Sequence, residues 1–231
     1  MKYHTTVLLI LLLVNFYASA QTETIRVNAG DDIATAVSPY GIYRFPAFTN
    51  GIIQLKDGRQ GEERLNFNVL SDQIMYIDKK GDTLAIGIPG QVKKITINET
   101  NFYYDKTACV EEIANSAIAS LVVKRKISVD YQPKGEFGTS VPNTGGVDVY
   151  KQLPSRTDYH LVANEEAIIK KITSYFLITG EGQQIPATKS NFISLFAKNK
   201  DNIKRYLSSN KVDFNKERDL VQLLGIAASG D

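Results

Sequence analysis

One cysteine, Cys109, stands in a chain of 231 residues, so no internal disulfide can form and the fold must hold by its core alone. Tryptophan is absent, and histidine occurs only at His4 and His160. These shortages limit the chemistry. A Cys–His nucleophilic pair would need Cys109 and His160 in contact, and nothing in their positions along the chain joins them. Cys109, in "KTACVEEI" between Ala108 and Val110, reads as a small buried apolar residue. His160, between Tyr159 and Leu161, reads as an ordinary half-buried histidine, because a metal site wants several His, Cys or carboxylate ligands together. The glycines of "GEFG" lack the spacing and the Lys-Ser/Thr ending of a phosphate loop. The sequence therefore assigns no catalytic residue, no cofactor and no metal ligand.

An excess of either charge is also lacking. Lys and Arg number 27 against 25 Asp and Glu, which leaves a net charge of +2 and gives no reason to expect a polyanion as main partner. The basic trio Lys124, Arg125 and Lys126 lies in a strand-like run. Successive strand side chains face opposite sides, so Arg125 points away from the two lysines and the trio reads as a solvated strand face. Nucleic acid is not an expected partner. The mixed charges of "KDGRQGEER" read as a turn and the wet start of the next strand. Asp57, Glu62 and Glu63 would do acid–base work only if burial pushed their pKa values apart, and a Gly-flanked turn offers little burial.

Long hydrophobic runs are missing except at the start, "MKYHTTVLLILLLVNFYASAQ". Lys2 supplies a positive leader, residues 7–14 are an unbroken apolar run, and Ala18-Ser19-Ala20 is a small-x-small cleavage site. The run falls short of the roughly 20 residues a membrane span needs. The expectation is a signal peptide over 1–20, a mature chain beginning at Gln21, and export to the periplasm or the exterior. Gln21 stands where a lipoprotein would carry cysteine, so no lipid anchor is expected.

What is present is strand and turn. Asp57-Gly58 is a strong hairpin dipeptide, and Leu65, Phe67 and Val69 alternate with Asn66 and Asn68 as in a half-buried strand. "SDQ", "DKKGD" and "GIPGQ" then separate short apolar runs, as in a small antiparallel barrel or sandwich. "SYFLI" reads as a further strand, with a hairpin at "TGEGQ". The last forty or so residues carry helical stripes. They are Phe192/Leu195/Phe196, Ile203/Tyr206/Leu207 and Leu220/Leu223/Leu224/Ala227. Ser190 and Asn215 are candidate N-caps and Asn210 a candidate stop.

Strands first and helices last give an α+β class: a small antiparallel β barrel or sandwich followed by a C-terminal cap of short helices. The organisation expected is a β-rich body over 21–132, a Gly-rich loop over 133–150, a β extension over 151–186 and a helical segment over 187–231. Phe137 is the one large apolar group of residues 133–146. It is a candidate contact for a partner, or else tucks onto the body.

From about 51 to 231 the chain resembles uncharacterised secreted proteins common in Bacteroidota. The likeness rests on "LKDG", "LNFNVLSDQIMYIDKKGDTLAI", "GEFG", "IPATKSNFISLF" and "IKRYLSSNKVDFNKERDLVQLL". It implies a location and an architecture, and no activity. Residues 51–97, with "GIIQLKDG" and a closing "ITI", also resemble Sm-like and SH3-like small β barrels.

The function these readings lead to is an exported, non-enzymatic envelope or extracellular module, for binding or as an accessory. Its partner would be a protein or envelope component, and no transmembrane span is expected in the mature chain. The alternative is a hydrolase of envelope polysaccharide or peptide, using carboxylates that the sequence does not mark.

Overall fold

The computed structural model describes residues 21–31, 33–37, 41–105, 108–131 and 167–229. The leader over 1–20, the loop with Phe137 and the segment holding His160 lie outside them. Among the described residues, eleven strands follow in chain order. They are β1 (Gln21–Val27), β2 (Thr49–Leu55), β3 (Gln60–Asn68), β4 (Gln73–Ile77), β5 (Thr83–Ala85), β6 (Val92–Ile97), β7 (Thr100–Asp105), β8 (Ala108–Asn115), β9 (Ala119–Tyr131), β10 (Ala167–Thr179) and β11 (Gln184–Pro186). A single helical turn, α1 (Ile33–Val37), follows β1, and three helices close the chain: α2 (Lys189–Leu195), α3 (Lys200–Ser209) and α4 (Glu217–Ala228). The expected α+β class is what is found.

Among the described residues all strand pairs are antiparallel and belong to one sheet, ordered β1-β10-β9-β8-β7-β6-β2-β3-β4-β5, with β11 beside the end of β10. The sheet is open; the closed barrel among the expectations does not form. It does curl. Ile74 donates its N–H to the Tyr104 hydroxyl at 3.2 Å, Cys109 N–H reaches Asp72 Oδ1 at 3.2 Å, and Ile127 N–H reaches the Val69 carbonyl at 3.2 Å. These bonds tie the β3–β4 corner to β7, β8 and β9 without a ladder between them.

Two local features make the curl possible. The β2–β3 hairpin turns at Gly58, whose φ of +91° suits glycine, as the Asp-Gly dipeptide foretold. Gly51 in β2 has a different reason. A Cβ there would meet the Thr96 carbonyl oxygen at 2.7 Å and Leu65 Cδ1 at 2.9 Å, so only glycine lets β2 pass this close to its neighbours.

The apolar residues divide into two cores. One lies inside the curl and gathers Val27, Leu65, Phe67, Ile74, Ile95, Ile97, Phe102, Ile127 and Ile169. The other lies under the helices and gathers Leu121 and Leu177 from the sheet with Phe192, Phe196, Ile203, Leu220, Leu223 and Leu224. The three helical stripes face inward as their spacing requires, and Asn210 ends α3, its N–H and amide both on the Tyr206 carbonyl. The caps differ from expectation. Thr188, not Ser190, caps α2, and the N-cap position of α4 is Lys216, which makes no side-chain cap bond. Asn215 instead gives its N–H to Asp213 Oδ1.

The alternation in β3 also needs correction. Asn66 and Asn68 were expected on the wet face, yet each is about as buried as Phe67. The chain at 42–47 lies over them. Asn66 accepts the Phe45 N–H at 3.1 Å and donates to the Phe45 and Ala47 carbonyls, so its amide substitutes for a strand partner.

Candidate functional site

Register places Ile95, Phe102, Glu111, Val123 and Tyr175 in one row across β6 to β10. The middle member is a carboxylate. Ile95 and Phe102 belong to the core inside the curl, and Tyr175 packs against the core under the helices. Glu111 therefore sits at the joint between the two, and only 4% of its side chain meets solvent.

A buried carboxylate is costly unless paired. Arg44 and Arg125 supply the pairing. Residues 42–45 run beside the end of β3, with Arg44 N–H on the Phe67 carbonyl at 2.8 Å and Val69 N–H on the Ile42 carbonyl at 2.9 Å. That anchorage aims Arg44 at Glu111: Nε donates to Oε2 and Nη2 to Oε1, both at 2.8 Å, a two-pronged fork. Arg125, two residues beyond Val123 and on the same face, donates from Nε to Glu111 Oε2 at 3.1 Å. Its Nη2 goes on to Glu217 Oε2 at 2.8 Å. Glu217 is the first residue of α4, where a negative charge also suits the helix dipole. The result is a continuous chain, Arg44–Glu111–Arg125–Glu217, from the loop over β3, across the sheet, to the last helix.

Burial alone would push the Glu111 carboxyl up, but the Arg44 fork and the Arg125 charge outweigh it and hold the group below the ordinary glutamate range. It stays ionised at neutral pH and accepts three hydrogen bonds from the two guanidinium groups. Neighbouring Glu112 points to the opposite face, where it accepts from Asn101 Nδ2 at 3.0 Å and the Tyr103 hydroxyl at 3.2 Å. Burial, then the Glu112 charge, pushes that phenol up to about 12.

The residues that sequence singled out are dispersed. Asp57, Glu62 and Glu63 are exposed as expected, and Asp57 pairs with exposed Arg59 at 2.8 Å. Cys109 is buried, and loss of solvation, with Asp72 beside it, pushes its thiol well up, away from the reactive thiolate. Arg125, expected on a solvated face, is in fact 20% exposed and bonded to two carboxylates. Phe137 and His160 lie outside the described residues. Among those described, no group of three or more His, Cys, Asp or Glu could hold a metal, and no helix is long and apolar enough to cross a membrane. Sequence reasoning missed Arg44, Glu111 and Glu217 altogether. The one available signal was a glutamate pair inside an otherwise apolar strand, "CVEEI", of which one member had to face inward.

No family model matches the chain, and no curated protein or solved structure is significantly similar to it.

Proposed function

We propose that the protein is an exported, non-enzymatic module that binds a component of the cell envelope or its surroundings. The observation that carries this over the hydrolase alternative is the state of Glu111. A hydrolase working through carboxylates needs one whose pKa is raised, so that it can donate a proton near neutral pH. The deeply buried glutamate here is driven the other way and is clamped by two arginines. Such a group holds parts together; it does not turn over substrate. Export is supported by the leader-like start and by the resemblance to secreted proteins of Bacteroidota.

The test uses protein beginning at Gln21 with isolated cell-wall sacculi and outer-membrane vesicles. The protein is expected to sediment with one of the two fractions and to release no soluble sugar or peptide. Release of fragments that is lost in Glu111→Gln would replace this reading with the hydrolase. Failure to sediment with either fraction would remove envelope binding.

A further inference from the structure

A cleft of about 450 Å³ opens between the β8–β9 turn and the elbow that joins α2 to α3. Ala117 and Ile118 form one wall, and Leu195, Phe196 and Ala197 form the other. The first wall is unusual for its place. Tight turns favour Gly, Pro, Asn, Asp and Ser, yet this one carries alanine and isoleucine at its tip. Ser116 closes the turn: its N–H reaches the Ala119 carbonyl at 3.0 Å, and its hydroxyl donates to the same oxygen at 2.8 Å. The second wall is the elbow itself. Phe196 N–H meets the Phe192 carbonyl at 3.1 Å and Asn199 N–H meets the Phe196 carbonyl at 3.0 Å, which bends the chain between the two helices.

Buried Asn199 anchors that elbow to α4, with its amide on the Ile226 carbonyl at 2.7 Å and the Ala227 carbonyl at 3.2 Å. Both walls are therefore set before a ligand arrives, and little ordering is left for binding to do. The lining holds a single charged side chain, Lys198, and no carboxylate. Lys198 is exposed and forms no ion pair among the described residues. The place thus combines two apolar walls with one available ammonium.

We infer that this cleft binds a fatty acid, with the acyl chain along the apolar walls and the carboxylate on Lys198. Small-molecule sites are mostly apolar with a few polar groups that orient the ligand, and the volume lies inside their usual range. A sugar or nucleotide would need several hydrogen-bonding groups in the wall. Asn199 is the only other polar side chain there, and its amide is already given to α4. An apolar side chain of a partner protein would fill the walls and leave Lys198 unused, whereas a fatty acid engages both. The inference rests on the envelope-binding reading and deepens it by naming a lipid component. Its test uses free fatty acids with no wall or membrane present, so its failure leaves the envelope sedimentation result standing.

The experiment is titration calorimetry of protein beginning at Gln21 with octanoate, decanoate and dodecanoate, each below its micelle concentration. Affinity is expected to rise by up to about fourfold for each CH₂ that the cleft buries. Decanol, which keeps the chain and loses the charge, is expected to bind about two- to fivefold more weakly than decanoate, the worth of one exposed ion pair. Lys198→Gln is expected to erase that difference and to keep the dependence on chain length. Ala197→Trp, which fills the cleft from an exposed position, is expected to abolish binding with little change in Tm. Should that variant unfold, Ala117→Trp blocks the same cleft from the turn. No binding of dodecanoate, affinity that does not change with chain length, or binding that survives both tryptophan variants would overturn the proposal. So would decanol binding as tightly as decanoate, because the cleft would then take a neutral chain and Lys198 no part in it.

Discussion

The core inside the curl and the core under the helices are held in different ways. The first is assembled from strands spread from Val27 to Ile169, and its residues meet only because the register brings them together. The second takes most of its residues from the stretch between Ala187 and Ala227, placed on the short floor of Leu121 and Leu177. Helices of 7, 10 and 12 residues are marginal alone in water, so α2, α3 and α4 persist by docking. Asn199 adds to this by donating to the Ile226 carbonyl at 2.7 Å, which satisfies the end of α4 from the turn between α2 and α3. The curled core can be read as the foundation and the helical core as a layer laid on it, with Glu111 and Arg125 as the bolt between them.

The largest expected effect comes from removing that bolt. Glu111→Ala strands two arginines beside a closed core, and breaking a buried pair from one side costs roughly 3–5 kcal/mol. Denaturant unfolding followed separately by far-UV signal and by a probe in α4 is expected to show the helical layer coming away first. Coincident transitions would mean that the two cores are one cooperative unit. The same glutamate sets a pH dependence. Its folded pKa lies below the unfolded value of about 4.5, so its contribution is fully present above that value and is lost as pH falls through the lower, folded one. A plot of Tm against pH is expected to be flatter on the acid side for Glu111→Gln than for the native chain.

Next is Leu223→Ala. Leu223 is fully buried in the helical core, and truncating a buried leucine costs roughly 2–5 kcal/mol. If the helices are a layer, this variant loses helical signal while Phe67 and Phe102, 5.7 Å apart in the other core, keep their environment. An unchanged denaturant midpoint would show α4 to be free of the core.

A smaller effect tests the foundation. Asn66→Ala removes an amide that accepts from Phe45 N–H and donates to two carbonyls, leaving buried backbone groups unpaired at a cost of about 1–3 kcal/mol. Because residues 42–47 also aim Arg44 at Glu111, the Asn66→Ala and Glu111→Gln losses are expected to be less than additive in a double-mutant cycle. Additive losses would separate the loop from the Arg44–Glu111 pair.

How much of this could be read from residues follows the same division. The helical layer was legible: Phe192/Phe196 and Leu220/Leu223/Leu224/Ala227 repeat at helical spacing, and all are buried. The Asp57-Gly58 hairpin was legible because its signal is local. The burial of Asn66 and Asn68 was not, because a strand pattern shows which residues share a face but not that a loop from 42–47 will cover the polar one. Nor was the choice between Glu111 and Glu112, which face opposite ways and differ only in what arrives beside them. The site depends on Arg44, 67 residues from Glu111, and on Glu217, 92 residues from Arg125. Convergence over such distances is a property of the register, and the chain carries no short motif for it.

The smallest effect bears on how the helical layer is fastened at its start. Thr188 Oγ1 accepts the Asn191 N–H at 3.3 Å, and the Asn191 side chain donates to the Pro186 carbonyl at 2.8 Å, so the first turn of α2 is pinned to the end of β11. Losing such a cap costs about 1 kcal/mol. Ser190, the residue whose type suggested a cap, lies two positions past the cap, inside the first turn, and is exposed, so Ser190→Ala should stay within about 0.5 kcal/mol of the native chain. Comparing the two alanine variants by urea midpoint therefore isolates position from residue type. Thr188→Ala below Ser190→Ala is the expected order. The reverse order would mean that α2 begins at a different residue in solution and that β11 does not fasten the helical layer to the sheet.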